Sequence, residues 1–426
     1  MKHKLRRQIL TLLQGTVVAQ LLPIIIAPIL TRIYTPEQFG ILAIYMAVIS
    51  VLTPIVNARY ELAISLPKQE RNALALFALT TKINLVVTGI ATLIVLIFKN
   101  NIIQIFSLED GVWILLLPIG LFLTGLINSF TYINNRMERF NYLAKSKVYQ
   151  ASSMVFMQLG LGILKFGSFG LVMGYIVGQC LSILNLNRKL SIKQKITEEK
   201  IDKELILKVS KEYNEFPKYA MITHSMESFS AQTPNLFLTK FFGAATAGYY
   251  SLTNRTISMP LSLVGKAIGD VFLSNASKLY RERGECKEIY TKTLKALAVI
   301  PIIPFTILFI WGEELFGLVF GQEWEVAGSY MRLLLPAIYL QFISSPLSHM
   351  FIIAKKIKID LVIQIVVFIL SIGAFLIGNF YFKSVEFSLV LFSIVLGIKY
   401  ISFIIISYSL AKGVSRSRVD EENDYN

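Results

Sequence analysis

Residues 361–380 read LVIQIVVFILSIGAFLIGNF, and this stretch of twenty positions contains no charged side chain. A helix of about 20 apolar residues spans the ~30 Å hydrocarbon core of a lipid bilayer. Residues 387–411 form a second apolar stretch, which follows after six intervening residues. Together they predict two adjacent membrane-spanning helices, and the same pattern recurs towards the N-terminus.

Twelve segments of this kind can be distinguished along the chain. The composition agrees, because 54% of the residues are hydrophobic and only 16% are charged, whereas about 25% are charged in a typical soluble protein. We therefore predict an all-α polytopic membrane protein. The predicted spans are 9–33, 38–60, 74–98, 112–133, 147–164, 168–187, 217–239, 249–270, 296–312, 329–352, 359–380 and 387–411.

The positions of Lys and Arg predict the orientation of these spans. The segments on the N-terminal side of the membrane hold 31 basic residues, and the six opposite loops hold 5. Cytoplasmic loops retain positive charge, so both termini are predicted to be cytoplasmic. The basic N-terminus leads into a first span without a small-residue cleavage site, and we expect this span to be retained.

Several kinds of function are disfavoured by the same composition. The net charge of +15 is spread between hydrophobic segments instead of being gathered on one soluble surface, which argues against nucleic-acid binding. Cys180 lies in an apolar run and Cys286 in a charged one, so neither a disulfide framework nor a metal site is expected. No Walker or catalytic-triad motif is present. We predict neither a metal nor a cofactor.

Charged side chains inside the predicted spans are the candidates for function. A charge at the bilayer centre costs at least ~2.5 kcal/mol, so such residues usually face the interior of a bundle or a wet cavity. The alternative for Lys82, Arg332 and Lys399 is that they reach the nearby interface with their long side chains. The remaining bases are Arg59, Arg255 and Lys266.

The eighth span carries a polar stripe. At about 100° per residue, Arg255, Met259, Ser262 and Lys266 fall on one side of a helix. Asp270 follows Lys266 at i+4, so these two side chains either neutralise each other or both face a cavity. On the seventh span, His224 and Glu227 share a face and are candidates for ion coupling, unless this helix end lies in the interface.

Ordered motifs along nearly the whole chain resemble one transporter family. The first is PILTRIYTPEQFG at 28–40, and the second half contributes a longer series. It comprises Phe216-Pro217, PNLFLTKFFG at 234–243, AGYYSL at 247–252, Pro260-Leu261-Ser262, FGQEW at 320–324, Ala327-Gly328 and Ser345-Pro346-Leu347. This set is similar to the Wzx-type polysaccharide flippases of the multidrug/oligosaccharidyl-lipid/polysaccharide exporter (MOP) superfamily.

The resemblance implies a specific architecture. Two six-helix lobes, residues 1–187 and 217–411, would enclose a central cavity and would be joined by a cytoplasmic linker at 188–216. A polar cytoplasmic tail would follow at 412–426. Internal repeats of this kind are common in transporters.

The resemblance also implies a substrate and a location. Family members carry polyprenyl-diphosphate-linked oligosaccharide from the cytoplasmic to the outer leaflet of the bacterial inner membrane, for O-antigen, lipopolysaccharide or capsule. Arg32, Arg59, Arg255 and Lys266 are the expected ligands of the diphosphate or sugar, since Arg and Lys bind phosphate oxygens. The spans contain no dense acidic cluster that would form a cation site, so coupling to an H⁺ or Na⁺ gradient would rest on His224, Glu227 or Asp270. A glycan polymerase and other assembly proteins are the expected partners.

Three other functions are compatible with this pattern of spans. A multidrug or metabolite exporter of the same superfamily would favour acidic cavity residues, whereas six bases and two acids lie in the spans. A flippase for the peptidoglycan lipid precursor would share the polyprenyl diphosphate but typically has additional helices. A membrane-embedded glycan polymerase or ligase usually has a large periplasmic loop, and the longest loop on that side here is short.

Overall fold

The computed structural model describes residues 2–106, 111–188, 190, 198–199, 201–354 and 356–413, and within these ranges the chain is almost entirely helical. Parts of the predicted linker 188–216 and most of the predicted tail 412–426 lie outside the described residues. The chain folds into two compact units, Met1–Ser251 and Leu252–Asn426.

The N-terminal unit contains eight helices and the larger part of a ninth. They are α1 (Lys2–Leu30), α2 (Pro36–Val56), α3 (Glu70–Ile105), α4 (Leu117–Arg136), α5 (Phe140–Ile163), α6 (Gly167–Asn187), α7 (Lys203–Glu212), α8 (Met221–Phe242) and α9 (Ala244–Thr253). A short 3-10 turn, Tyr60–Ser65, follows α2. The loop signature explains the start of α2, because Thr35 and Gln38 form a capping box around Pro36 at the first helical turn.

The C-terminal unit continues from the end of α9. It contains α10 (Met259–Arg283), α11 (Lys287–Val299), α12 (Ile302–Phe320), α13 (Glu325–Leu347), the single turn α14 (Met350–Ile353), α15 (Ile357–Ile377) and α16 (Val385–Ala411). A π-helical segment, Asn254–Ser258, joins α9 to α10. The core of this unit forms around Phe272, Tyr290 and Leu347. There the Tyr290 hydroxyl is 2.7 Å from the Ser407 hydroxyl on α16.

Nine helical segments of the described residues are long and apolar enough to cross a membrane. The multi-pass membrane protein predicted from hydropathy is therefore confirmed. The other three predicted spans fall on α1, α5 and α8, which are helical but shorter in their apolar part or more polar. The total of twelve spans, the cytoplasmic termini and the division into two six-helix lobes stay predictions.

Helices α2 and α8–α9 cross closely within the N-terminal unit. A Cβ atom on Gly40 would overlap the backbone oxygen of Ala244, and one on Gly248 would overlap the backbone oxygen of Pro36. Both glycines belong to motifs that define the family resemblance, PEQFG and AGYYSL. The absence of a side chain therefore permits the two backbones to touch at this crossing.

Candidate functional site

The turn after α2 carries the first group of candidate residues. Helix α2 ends at Val56, so Arg59 lies outside the helix in which the sequence pattern placed it. Ala58 and Arg59 both have positive φ angles, 48° and 59°. Left-handed backbone in two consecutive non-glycine residues is unfavourable, and it persists only where the surrounding structure holds it in place.

Glu61 is the partner of Arg59, and sequence reasoning missed it. Arg59 Nη1 donates a hydrogen bond to Glu61 Oε1 at 3.2 Å, and the side chain of Glu61 is fully buried while that of Arg59 is 15% exposed. Among the described residues, neither the second carboxylate oxygen, Oε2, nor Arg59 Nε has a hydrogen-bond partner. One hydrogen bond thus joins the pair, and each of the two side chains keeps an atom that could form another hydrogen bond.

Burial raises the pKa of the Glu61 carboxyl above its ordinary value. A hydrogen bond from its own backbone and the charges of Arg59 and His224 lower this pKa, but the effect of burial is larger. His224 on α8 therefore lies close enough to act electrostatically on Glu61. The His224 Nδ1 atom is 2.8 Å from the backbone oxygen of Ala220. The structure brings His224 together with Arg59 and Glu61, whereas Glu227 is exposed and forms no ion pair with another described residue.

A buried polar network surrounds this turn. The Asn57 amide donates to the backbone oxygen of Gly125 at 2.8 Å and to Ser129 Oγ at 3.2 Å. Ser129 in turn donates to Thr80 Oγ1 at 3.0 Å. The oxygen of the Asn57 amide has no hydrogen-bond partner in the part of the chain that the structure describes. Buried polar groups are normally paired, so unpaired acceptors in one region mark it as a candidate binding site for a proton or another donor.

The second group of candidates lies in the C-terminal unit. Arg255 is half-buried in the π-helical segment Asn254–Ser258, and it forms no ion pair or side-chain hydrogen bond with a described residue. A π-helical turn winds more widely than an α-helix, so the 100° spacing assumed for the stripe does not hold between Arg255 and the later members Ser262 and Lys266. The side chain of Met259 lies outside the described residues. Such turns occur frequently at functional sites in helices.

Lys266 and Asp270 lie beyond this segment on α10. Both are exposed, and the two side chains form no ion pair with each other or with any residue that the structure describes. Mutual neutralisation, one of the two alternatives for this pair, is therefore not seen. Ser262 is also exposed one turn earlier. This face of α10 thus presents polar side chains over about two helical turns of a candidate span.

Two other bases in the spans, Arg332 and Lys399, have neighbours that account for their positions. Arg332 Nη1 is 2.6 Å from Glu313 Oε1 and its guanidinium lies over the Phe309 ring. Lys399 Nζ donates to Gln364 Oε1 at 3.0 Å. Arg32 is exposed in the turn between α1 and α2. No group of three or more His, Cys, Asp or Glu side chains in the described ranges could hold a metal ion.

The fold is similar to that of transporters of the MOP superfamily. A multidrug resistance MATE family transporter in an inward-facing conformation aligns with 97% of this chain and 96% of its own, at a TM-score of 0.67 and 15% identity. The lipid II flippase MurJ aligns with 94% of this chain and 87% of its own, at a TM-score of 0.70 and 13% identity. At these identities the comparison establishes the fold alone.

The sequence comparisons identify the family. The family model described as polysaccharide biosynthesis protein matches residues 29–329, and the chain belongs to this family. The succinoglycan biosynthesis transport protein ExoT of Rhizobium meliloti (strain 1021) is 21% identical over 319 residues, which cover 74% of this chain. The matched part spans 62% of the length of that relative. The resemblance stated from the motifs is thereby confirmed.

Proposed function

We propose that this protein is a flippase that moves polyprenyl-diphosphate-linked oligosaccharide repeat units from the cytoplasmic to the outer leaflet of a bacterial inner membrane. The family and the fold support a transporter for polysaccharide assembly. The proposed substrate rests on one observation, the pair of bases Arg255 and Lys266. Both lie within a candidate span and have no acidic partner among the described residues.

An unneutralised cation in the membrane requires either water or an anionic ligand. A diphosphate supplies several oxygens, which Arg can bind with two parallel hydrogen bonds and Lys with a point charge. The lipid tail would remain in the bilayer while the head group crosses by alternating access. The same chemistry makes an organic cation a poor substrate for a site that contains these two bases, which disfavours drug export.

Replacement of Arg255 tests the proposed substrate site. We expect Arg255→Ala to abolish export of the surface glycan at unchanged protein abundance, with lipid-linked glycan accumulating in the membrane. Arg332→Ala is the matched control, because it removes an arginine within a span that is already paired with Glu313. Normal export in Arg255→Ala cells would contradict the proposal. Mass spectrometry of the accumulated lipid distinguishes a glycan repeat unit from a peptidoglycan precursor.

Ion coupling is part of the same proposal and is placed at Glu61. A buried carboxyl with a raised pKa and an unpaired oxygen can take up a proton, and His224 is the nearby second titratable group. Of the residues considered for coupling from the sequence, Glu227 and Asp270 are exposed and unpaired within the described chain. They are therefore weaker candidates than His224.

A transport assay in proteoliposomes with imposed H⁺ or Na⁺ gradients tests the coupling. We expect Glu61→Gln to make transport insensitive to the gradient that drives the wild type, because the amide cannot take up a proton. Glu227→Gln should behave as the wild type. If Glu61→Gln keeps the full dependence on the gradient, coupling at this residue is excluded.

A further inference from the structure

The short helix α7 lies beside the turn that follows α2. It packs against α3, and its Ile206 and Val209 side chains are buried in the same apolar cluster as Tyr60 and Ile64 of the turn. The opposite side of α7 is exposed, for example at Leu207. Helix α7 thus docks onto the N-terminal unit through its apolar side.

A hydrogen bond joins α7 to the turn. The Tyr60 hydroxyl donates to the backbone oxygen of Ser210 at 2.9 Å. Ser210 belongs to the last turn of α7, and the backbone oxygens at a helix end lack partners within the helix. Tyr60 directly precedes Glu61 in the chain, so this hydrogen bond connects α7 to the backbone next to the buried carboxyl.

Other elements also hold the turn and act on Glu61. Arg136 on α4 donates to a backbone oxygen of the turn at 3.3 Å. The groups that act electrostatically on the carboxyl include Arg59 beside it, His224 on α8 and Tyr132 on α4. Helices α3 and α7 contribute apolar side chains to the cluster around the turn. Helix α7 therefore holds the turn through packing and the tyrosine hydrogen bond.

Among the helices around the turn, α7 is the shortest. It has 10 residues, whereas α3, α4 and α8 have 36, 20 and 22. An isolated helix shorter than about 12–15 residues is only marginally stable in water, so α7 depends on its docked position. Segments with few buried side chains open at the lowest cost, and α7 buries Ile206 and Val209. A small change in the turn is therefore sufficient to release this helix.

The charge of Glu61 determines how well the turn fits its position. A neutral carboxyl is tolerated in a buried position far better than an ionised one. Arg59 donates a hydrogen bond to one oxygen of this carboxyl, while the second oxygen has no partner among the described residues. Ionisation therefore favours a position of the turn in which water reaches the second oxygen.

We propose that Tyr60 is a positioning residue that couples the protonation of Glu61 to the docking of α7. With Glu61 neutral, the turn keeps its position and α7 stays docked. Loss of the proton moves the turn towards water, breaks the hydrogen bond from Tyr60 to Ser210 and releases α7. Coupling of this kind is reciprocal, so the docked helix favours the protonated carboxyl. The inference rests on the proposed ion coupling at Glu61 and extends it to a helix that moves with the proton.

Amide hydrogen exchange of α7 in the purified full-length chain, measured by mass spectrometry across a pH series, tests this coupling. Exchange rates are compared after correction for their intrinsic dependence on pH. In the wild type we expect α7 to lose protection as the pH rises through the titration of Glu61. Tyr60→Phe keeps the ring and removes the hydroxyl. It should move this loss of protection to lower pH by about one unit, the effect of losing one hydrogen bond.

Two variants control the measurement. In Glu61→Gln, which cannot ionise, the protection of α7 should not change with pH. Tyr34→Phe is the matched control for Tyr60→Phe, because the Tyr34 hydroxyl donates to a backbone oxygen elsewhere in the same unit, that of Gln158. The Tyr34→Phe variant should follow the wild-type profile.

Three outcomes would overturn the inference. The first is protection of α7 in the wild type that does not change with pH. The second is faster exchange in Tyr60→Phe by the same factor at every pH, since a purely structural hydrogen bond would have that effect. The third is the same loss of protection in Glu61→Gln as in the wild type, because another group would then be responsible. The gradient assay with Glu61→Gln tests the coupling to transport independently of these results.

Discussion

The interiors of the two units differ in what they bury. The N-terminal unit buries a carboxyl group and several amide side chains, those of Asn57, Glu61, Asn84, Asn134, Gln158, Gln179 and Asn185. The buried polar side chains described in the C-terminal unit are all hydroxyls, those of Thr253, Ser344, Ser371, Ser388, Ser393 and Ser407. The C-terminal unit instead has charged residues on an exposed face of α10, where Lys266 and Asp270 are unpaired within the described chain.

This difference indicates that the two units use charge for different purposes. A buried, paired charge is held in one geometry, and its loss affects folding. An exposed, unpaired charge contributes little to folding and is available to a ligand. We therefore expect substitutions around Glu61 to change stability as well as ion coupling, and substitutions around Lys266 to change transport alone.

The largest effect is expected from Glu61→Ala, which leaves Arg59 without its partner. Breaking a fully buried pair costs about 3–5 kcal/mol. Because Arg59 keeps 15% exposure, we expect a loss of about 2–3 kcal/mol in the free energy of unfolding. Thermal unfolding in detergent measures it. A variant as stable as the wild type would mean that the buried pair of the N-terminal unit is not structurally important.

The close crossing of α2 and α9 should give the next largest effect. In Gly248→Ala the new methyl group meets the backbone of Pro36, and forced packing of this kind costs about 1–3 kcal/mol. Gly89→Ala is the matched control, because nothing lies within 4 Å of a Cβ at that position in α3. We expect it to be neutral or slightly stabilising. Equal stability of the two variants would show that the crossing relaxes without cost.

The pH dependence of stability provides a smaller test of the buried carboxyl. Burial raises the pKa of Glu61 above 4.5, so the folded protein holds this proton more tightly than the unfolded chain. Its stabilising contribution is fully present below pH 4.5 and is lost as the pH rises through the raised pKa. Relative to Glu61→Gln, the wild type should therefore lose stability as the pH rises above this value.

The measurement for this prediction is the unfolding temperature of both proteins across a pH series. Glu227→Gln should follow the wild-type profile, because that side chain is exposed. Parallel profiles for the wild type and Glu61→Gln would contradict a raised pKa in the folded state.

The smallest change in stability is expected from Lys266→Ala and Asp270→Ala. Substitutions of exposed side chains without partners usually change stability by less than about 0.5 kcal/mol. The unfolding temperature should be unchanged, while Lys266→Ala should reduce glycan export. A large loss of stability in either variant would show that α10 uses these charges structurally, and the contrast between the units would then disappear.

Much of the architecture could be predicted because hydropathy is a local property. Residues 361–380 indicate a span without any knowledge of their neighbours, and α15 covers most of them. The capping residues Thr35 and Gln38 likewise belong to a local motif that is readable from the sequence. Features of this kind depend on residues that are close together in the chain.

The buried ion pair could not be predicted in the same way. Glu61 follows a span and precedes a charged loop, so it reads as an ordinary surface residue. Its burial depends on α3 and α4, which pack against the turn, and α4 is distant in sequence. The available signal was weak: Glu61 stands between the apolar residues of Tyr60–Ser65, and Arg59 lies two positions before it.

The π-helical segment Asn254–Ser258 has a consequence for comparing related sequences. A π-helical turn corresponds to an α-helix with one additional residue. Deleting one residue, for example Thr256, would restore regular α-helix and rotate every later side chain by about 100° around the axis. Ser262, Lys266 and Asp270 would then point in another direction. In an alignment of relatives, a protein with a gap of one residue at this point therefore carries the same later residues on a different side of the helix.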